Sequence, residues 1–296
     1  MKKLILIFVL IALILGFAYY YRASRQPPRI TSTEPNGKLL VYNTGNSGMF
    51  AVFSGVLGAL NFYEQGEFQG IEIALEGGVY QDPKLGPNWW TYFFAPIHVG
   101  NNQASTYTFT FEDHRALAHD GFHMPRQRAH ELISKYIKVL PHIQNKVDLF
   151  VKERFQDHYV IGVHHRGTDK VTEMPLVSFD KTAKALAGVI EKLPKEQHAH
   201  LKIYAATDDS HFIEFLSTIY PDQVIFNDFV RSEDNQPLHI GNDEKYGSIY
   251  QKGEEALVDC LLLSRCNHLI RPWSSLSIVA DHFNPNMPIT TLWGHK

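Results

Sequence analysis

Cysteine is almost missing from the sequence: Cys260 and Cys266 are the only two in 296 residues. They lie six positions apart in an apolar, helix-like stretch and face different directions, which disfavours a mutual disulfide and predicts two buried thiols. No Asn-x-Ser/Thr acceptor occurs anywhere. Both absences point away from a secreted or lumenal eukaryotic setting. No G-x-G-x-x-G follows the first apolar strand, which argues against a nicotinamide oxidoreductase. Beyond the N-terminus there is no Lys/Arg run, and the formal net charge is −3, so nucleic acid is not an expected partner. Asp113, His114, His119, Asp120, His123 and His130 match neither H-E-x-x-H nor a Cys/His spacing. They read as helix-face or interdomain residues, and no metal is expected.

What is present begins with Met1-Lys2-Lys3 and an apolar stretch from Leu4 to Tyr21, interrupted only by Gly16. As a helix it would extend about 27 Å, close to the thickness of bilayer hydrocarbon. Tyr19 to Tyr21 sit where an interfacial aromatic belt belongs, and no small-residue cleavage site follows. Residues 1–24 are therefore expected to be an uncleaved, single-pass membrane anchor. Its orientation stays open, because Lys2 and Lys3 oppose Arg22, Arg25 and Arg29. Residues 25–38, with Pro27, Pro28, Pro35 and Gly37, read as a linker.

Strands are predicted at Leu39–Tyr42 and Ile71–Leu75 with a helix over Met49–Phe62 between them, a βαβ unit. The loop between the first strand and the helix carries Gly45-Asn46-Ser47-Gly48. Its small residues could let backbone N–H groups approach a phosphate, although on this loop alone a tight βα turn is the favoured reading. Asn88 to Phe94 is the densest aromatic cluster and reads as core or cleft lining. Two helices follow between Pro125 and Phe155, broken at Pro141, where a first α/β domain (39–155) hands over to a second (156–296).

In the second half, apolar runs predict strands at Val160–Val163, Leu201–Ala206, Val224–Phe226 and Asn267–Ile270. Helices are expected over Phe179–Leu193, His211–Ile219 and Glu254–Ser264. Three polar loops leave strand ends: His164-His165-Arg166-Gly167-Thr168-Asp169-Lys170, Thr207-Asp208-Asp209, and Arg271-Pro272-Trp273-Ser274-Ser275. In a doubly wound sheet such loops converge on one edge, where ligands bind. An Arg fork there suits a phosphate or carboxylate.

At these loops the chain resembles the α-1,6-fucosyltransferase and protein O-fucosyltransferase superfamily, which includes the rhizobial chito-oligosaccharide fucosyltransferases. His164 to Lys170 is similar to the family's H-x-R-R-T-D-K, and Ala206 to Asp209 to its A-T-D-D. Leu257 to Ser264, running into Trp273-Ser274-Ser275, is similar to its third motif. The resemblance implies a GT-B-like α/β fold, with two Rossmann-type domains facing across a cleft. It also implies inverting, metal-independent transfer of L-fucose from GDP-β-L-fucose to a glycan or glycoconjugate hydroxyl, with the GDP-sugar as donor substrate and no cofactor.

By position, Arg166 would grip the β-phosphate, His164 would lie near the nucleotide, and Asp208 and Asp209 would shape the donor pocket. Asp259 would accept from guanine N–H groups, and Ser275 with Ser274 would bind phosphate. Gly45 and Gly48 would frame the loop on the facing side. Glu173, with Lys170 in support, or else Asp169, would take the acceptor's proton. Two departures stand out: the family's second Arg is Gly167, and the path from Lys170 to Glu173 is one residue short. The same scaffold with another GDP-sugar, or a noncatalytic glycan-binding derivative, are the competing readings.

Overall fold

The computed structural model describes residues 37–41, 47–101, 104–108, 111–167, 176–232 and 247–293. Two sheets organise it. The first has the order β3-β2-β1-β4, built from β1 (Lys38–Val41), β2 (Gly70–Ile73), β3 (His98–Gly100) and β4 (Thr106–Thr108). β1 runs parallel to both β2 and β4, while β3 is an antiparallel edge strand. The predicted βαβ unit is present: α1 (Met49–Glu64) connects β1 to β2.

α1 is buried from Met49 to Leu60 except at Ala51, as expected of a helix apolar on nearly every side. It crosses α2 (Phe111–His123) with the backbones almost touching. A Cβ on Gly58 would lie 2.4 Å from the Leu117 carbonyl oxygen, and one on Gly121 would lie 1.9 Å from that of Ser54. Only glycine permits this approach. α3 (Arg126–Tyr136) and α4 (Pro141–Phe150) follow, the latter with Pro141 opening its first turn, where the missing N–H costs nothing. A π-helical turn over Val151–Phe155 leads to the second sheet.

That sheet is all-parallel, with the order β7-β6-β5-β8-β9. It comprises β5 (Tyr159–His165), β6 (Leu201–Thr207), β7 (Val224–Ile225), β8 (His268–Pro272) and β9 (Ile289–Leu292). Its helices are α5 (Phe179–Ile190), the short α6 (Lys195–His198), α7 (Ser210–Ile219), α8 (Ile249–Ser264) and α9 (Ser275–Phe283). The chain builds β5, β6 and β7 outward in one direction, then returns to lay β8 on the other side of β5. This reversal opens a crevice at the carboxyl ends of β5 and β8. β1 sits at a similar reversal between β2 and β4 in the first sheet.

Several boundaries differ from the sequence reading. α8 begins five residues before Glu254, because Ser248 caps it by accepting from the Gln251 N–H at 3.1 Å. Gly253 lies inside that helix, where a Cβ would meet the Phe93 ring at 2.5 Å. β8 continues to Pro272, and β2 stops at Ile73. The Asn88–Phe94 cluster is core: Trp90 stacks on Phe94 at 4.3 Å, and Asn88 donates to the Ile73 carbonyl. Cys260 and Cys266 are buried free thiols.

One apolar core runs from Leu39 through α1, α3 and α4 to Leu257, Leu261, Val279 and Met287, so both sheets share it. A buried polar clamp reinforces the junction. Arg126 donates to the carbonyls of Asn284 and Met287, both at 2.8 Å, and Arg271 donates to Asp281 at 2.7 Å. Among the described residues no helix is long and apolar enough to cross a membrane. The anticipated anchor, residues 1–24, lies outside them.

Candidate active site

Strand alternation sorts the two histidines at the end of β5. His165 shares a face with Ile161 and Val163 and enters the smaller core, stacked on Phe212 at 4.2 Å and edge-on to Phe179. Burial pushes its pKa down to about 4, against the opposing pull of Asp208 and Asp209, so it stays neutral packing. His164 takes the opposite face and lines a cavity of about 480 Å³.

The same cavity is lined by Arg166, Asp208, Asp259 and Ser275 from the second half and by Ser47, Gly48 and Tyr80 from the first. It therefore lies where the two strand-order reversals face each other. Arg166 reaches toward the first half: burial raises the Tyr80 phenol, and the Arg166 charge partly offsets that rise. Met49 opens α1 and Ser275 opens α9, so two helix N-termini, rich in unbonded N–H groups, border one space.

Asp259 projects from α8 on the same face as Lys252, Glu255 and Ala256, all of which line the cavity. Its Oδ1 accepts from the Tyr204 hydroxyl at 2.5 Å, and Asn227 donates to that hydroxyl at 2.8 Å. Burial raises the Asp259 pKa to about 6, opposed by the Tyr204 hydrogen bond and the Arg231 charge. Arg231 in turn donates to the Asn227 and Phe229 carbonyls, folding residues 226–231 along the cavity wall. Asp259 thus presents a fixed carboxylate beside an apolar wall of Phe229 and Val230.

Two anticipated donor residues stand behind the cavity. Asp209 caps α7, accepting from the His211 N–H at 2.9 Å. Ser274 is the N-cap residue of α9, fully buried, and its Oγ has no hydrogen-bond partner among the described residues. Gly45, Asp169, Lys170 and Glu173 lie outside the described residues. Gly167 has a structural reason to be glycine: its N–H donates to Asp208 Oδ1 at 3.0 Å, and a Cβ would lie 2.7 Å from Asp209 Oδ2. An arginine in its place would require Asp209 to move.

The sequence reading gave no role to Tyr80, Tyr204, Asn227, Lys252 or Trp273. Lys252 and Glu255 could have been found from helical spacing to Asp259. Tyr80 and Asn227 sit in irregular segments with no periodic signal.

Comparison with known proteins bears on the fold and the kinship of the chain. The family model for nodulation protein Z (NodZ) matches residues 121–287, more than half of the 296-residue chain. Nodulation protein Z of Bradyrhizobium diazoefficiens is 27% identical over 168 residues, covering 54% of this chain and 44% of that protein. The match thus spans less than half of that relative. Among solved structures, fucosyltransferase NodZ from Bradyrhizobium superposes with a TM-score of 0.56 at 16% identity, covering 88% of this chain and 98% of that one. NodZ α-1,6-fucosyltransferase soaked with GDP-fucose gives 0.54 at 18% identity, over 84% and 93%. At such identities the superpositions establish a shared α/β fold, and the family match, which contains all three polar loops of the second half, establishes kinship: the chain belongs to the nodulation protein Z (NodZ) family.

Proposed function

We propose that the protein is an inverting, metal-independent fucosyltransferase that moves L-fucose from GDP-β-L-fucose to a hydroxyl of a glycan or glycoconjugate. The observation that carries this reading is the meeting of Arg166, Asp259 and two helix N-termini in one cavity between the sheets. As the bond from the fucose anomeric carbon to the β-phosphate oxygen breaks, negative charge gathers on GDP. Arg166 and the N–H groups opening α9 stabilise it in place. Asp259, with Oδ1 already held by Tyr204, accepts from the guanine edge. Adenine would leave that carboxylate unpaired. The acceptor oxygen attacks from the face opposite GDP, and Glu173 or Asp169 takes its proton, with Lys170 in support. Names of relatives support the sugar: one NodZ structure was soaked with GDP-fucose.

The test is release of GDP from GDP-fucose by the full chain with an oligosaccharide acceptor and excess chelator. Turnover that needs added Mn²⁺, or that proceeds only with another GDP-sugar in a parallel panel, overturns the assignment. We also propose that residues 1–24 anchor the enzyme in a membrane. Protease accessibility in intact spheroplasts reports the side, and full recovery in the soluble fraction removes the anchor.

A further inference from the structure

The mouth of the cavity carries a run of aromatic rings that donor binding does not use. Trp273 lines the cavity and lies parallel to Trp293, with centroids 5.7 Å apart and an interplanar angle of 17°. His123 packs at 5.8 Å from Trp273 and stacks on His119 at 4.2 Å. Trp293 is 54% exposed, so its packing on Trp273 leaves much of the indole open to solvent. Parallel rings this far apart are offset, so part of each face is uncovered. The platform is also braced: the Arg271 guanidinium lies 5.9 Å over the Trp273 ring and is itself tied to Asp281. His119 and Asp120 place polar groups at its far end.

We propose that the Trp273–Trp293 step, flanked by His123 and His119, is the acceptor subsite and takes a pyranose ring of the acceptor glycan face-on. The assignment rests on the transferase reading and adds the place and chemistry of the second substrate. Flat indole faces suit the C–H face of a sugar, while the imidazoles and Asp120 suit its hydroxyl rim. The position follows from the chain itself. Trp273 and Ser275 lie two residues apart in the loop after β8, so a sugar on the indole sits beside the phosphate end of the donor, where the anomeric carbon must be. One loop thereby aligns both substrates.

Intrinsic fluorescence tests this in the full chain, because Trp89 and Trp90 are buried and Trp273 and Trp293 dominate any ligand response. Oligomers of β-1,4-linked N-acetylglucosamine should change the emission with GDP present, and more strongly once long enough to span both rings. Trp293→Ala should raise the acceptor KM about three- to tenfold, the worth of one aromatic contact, with kcat and GDP affinity unchanged. Trp293→Phe should restore most of it. An unchanged acceptor KM in Trp293→Ala overturns the proposal, as does a parallel loss of GDP affinity, which would give the indoles to the base instead. Oligosaccharide binding without GDP binding would support the platform and sink the donor reading. GDP binding with no oligosaccharide response would do the reverse.

Discussion

The two sheets contribute to one cavity in different currencies. The five-stranded sheet is all-parallel and sends charged side chains from its strand ends and from α8: Arg166, Asp208, Asp259. The four-stranded sheet has an antiparallel edge and supplies the opening turn of α1, Tyr80 and Phe122, which are backbone amides and aromatic walls. Recognition of a nucleotide, as proposed above, would draw on fixed charges, and those sit on the sheet with the more regular scaffold. The other sheet shapes the space and adds the N–H groups that open α1.

Three experiments would break or sharpen this contrast. The largest effect should come from Arg166→Ala, which on the proposed mechanism removes the guanidinium that stabilises the departing GDP. Turnover should fall by about 10²–10³, the usual consequence of losing one such donor. Near wild-type kcat would reduce Arg166 to a loop brace.

Asp259→Asn should weaken GDP binding by roughly one to two orders of magnitude, the worth of charge-assisted hydrogen bonds. In the parent protein, affinity should drop as pH falls through about 6 if Asp259 binds guanine as proposed, because burial raises its pKa to that value and the proposed contact needs the carboxylate. For the free fold the sign is opposite. With a folded pKa above the unfolded one, stability held at low pH is lost as pH rises through about 6. Isothermal titration of GDP between pH 5 and pH 8 reads the binding half. A flat profile in the parent would remove Asp259 from the guanine site.

The smallest effect belongs to the other sheet. Gly121→Ala drives a methyl against the Ser54 carbonyl at 1.9 Å and must part α1 from α2. Overpacking of this kind costs about 1–3 kcal/mol, visible as a lower urea midpoint. GDP affinity should change far less than in Asp259→Asn, if the first half only shapes the space. An equal loss of GDP affinity would show the α1 N-terminus to be a principal phosphate contact.

Much of the second half's share of the cavity could be read from the sequence because it follows buried parallel strands. Val160–Val163 and Leu201–Ala206 are short apolar runs that end abruptly in charge, and both became strands feeding the cavity. The first half was harder to read for physical reasons. β3 and β4 have three residues each, too few for alternation to register. α2 is rich in His and Asp, and it buries itself through Ala116, Leu117, Ala118 and Gly121 by close backbone approach, not by an apolar stripe. Asp209 and Ser274 illustrate a different gap. The resemblance has Asp209 shaping the donor pocket and Ser274 joining Ser275 at phosphate; in the fold Asp209 caps α7 and Ser274 is the buried N-cap residue of α9, roles that motif position alone does not specify.

The shared core has a consequence for engineering. Leu57 and Phe53 on α1 belong to the same apolar cluster as Leu257, Leu261 and Val279, and Arg126 reaches across to the carbonyls of Asn284 and Met287. A chimera that joins the first half of this chain to the second half of a relative would bring together two apolar faces not shaped for each other. Recombination at the α4–β5 junction should therefore yield poorly soluble chains, and the cavity is better altered by exchanging single loops.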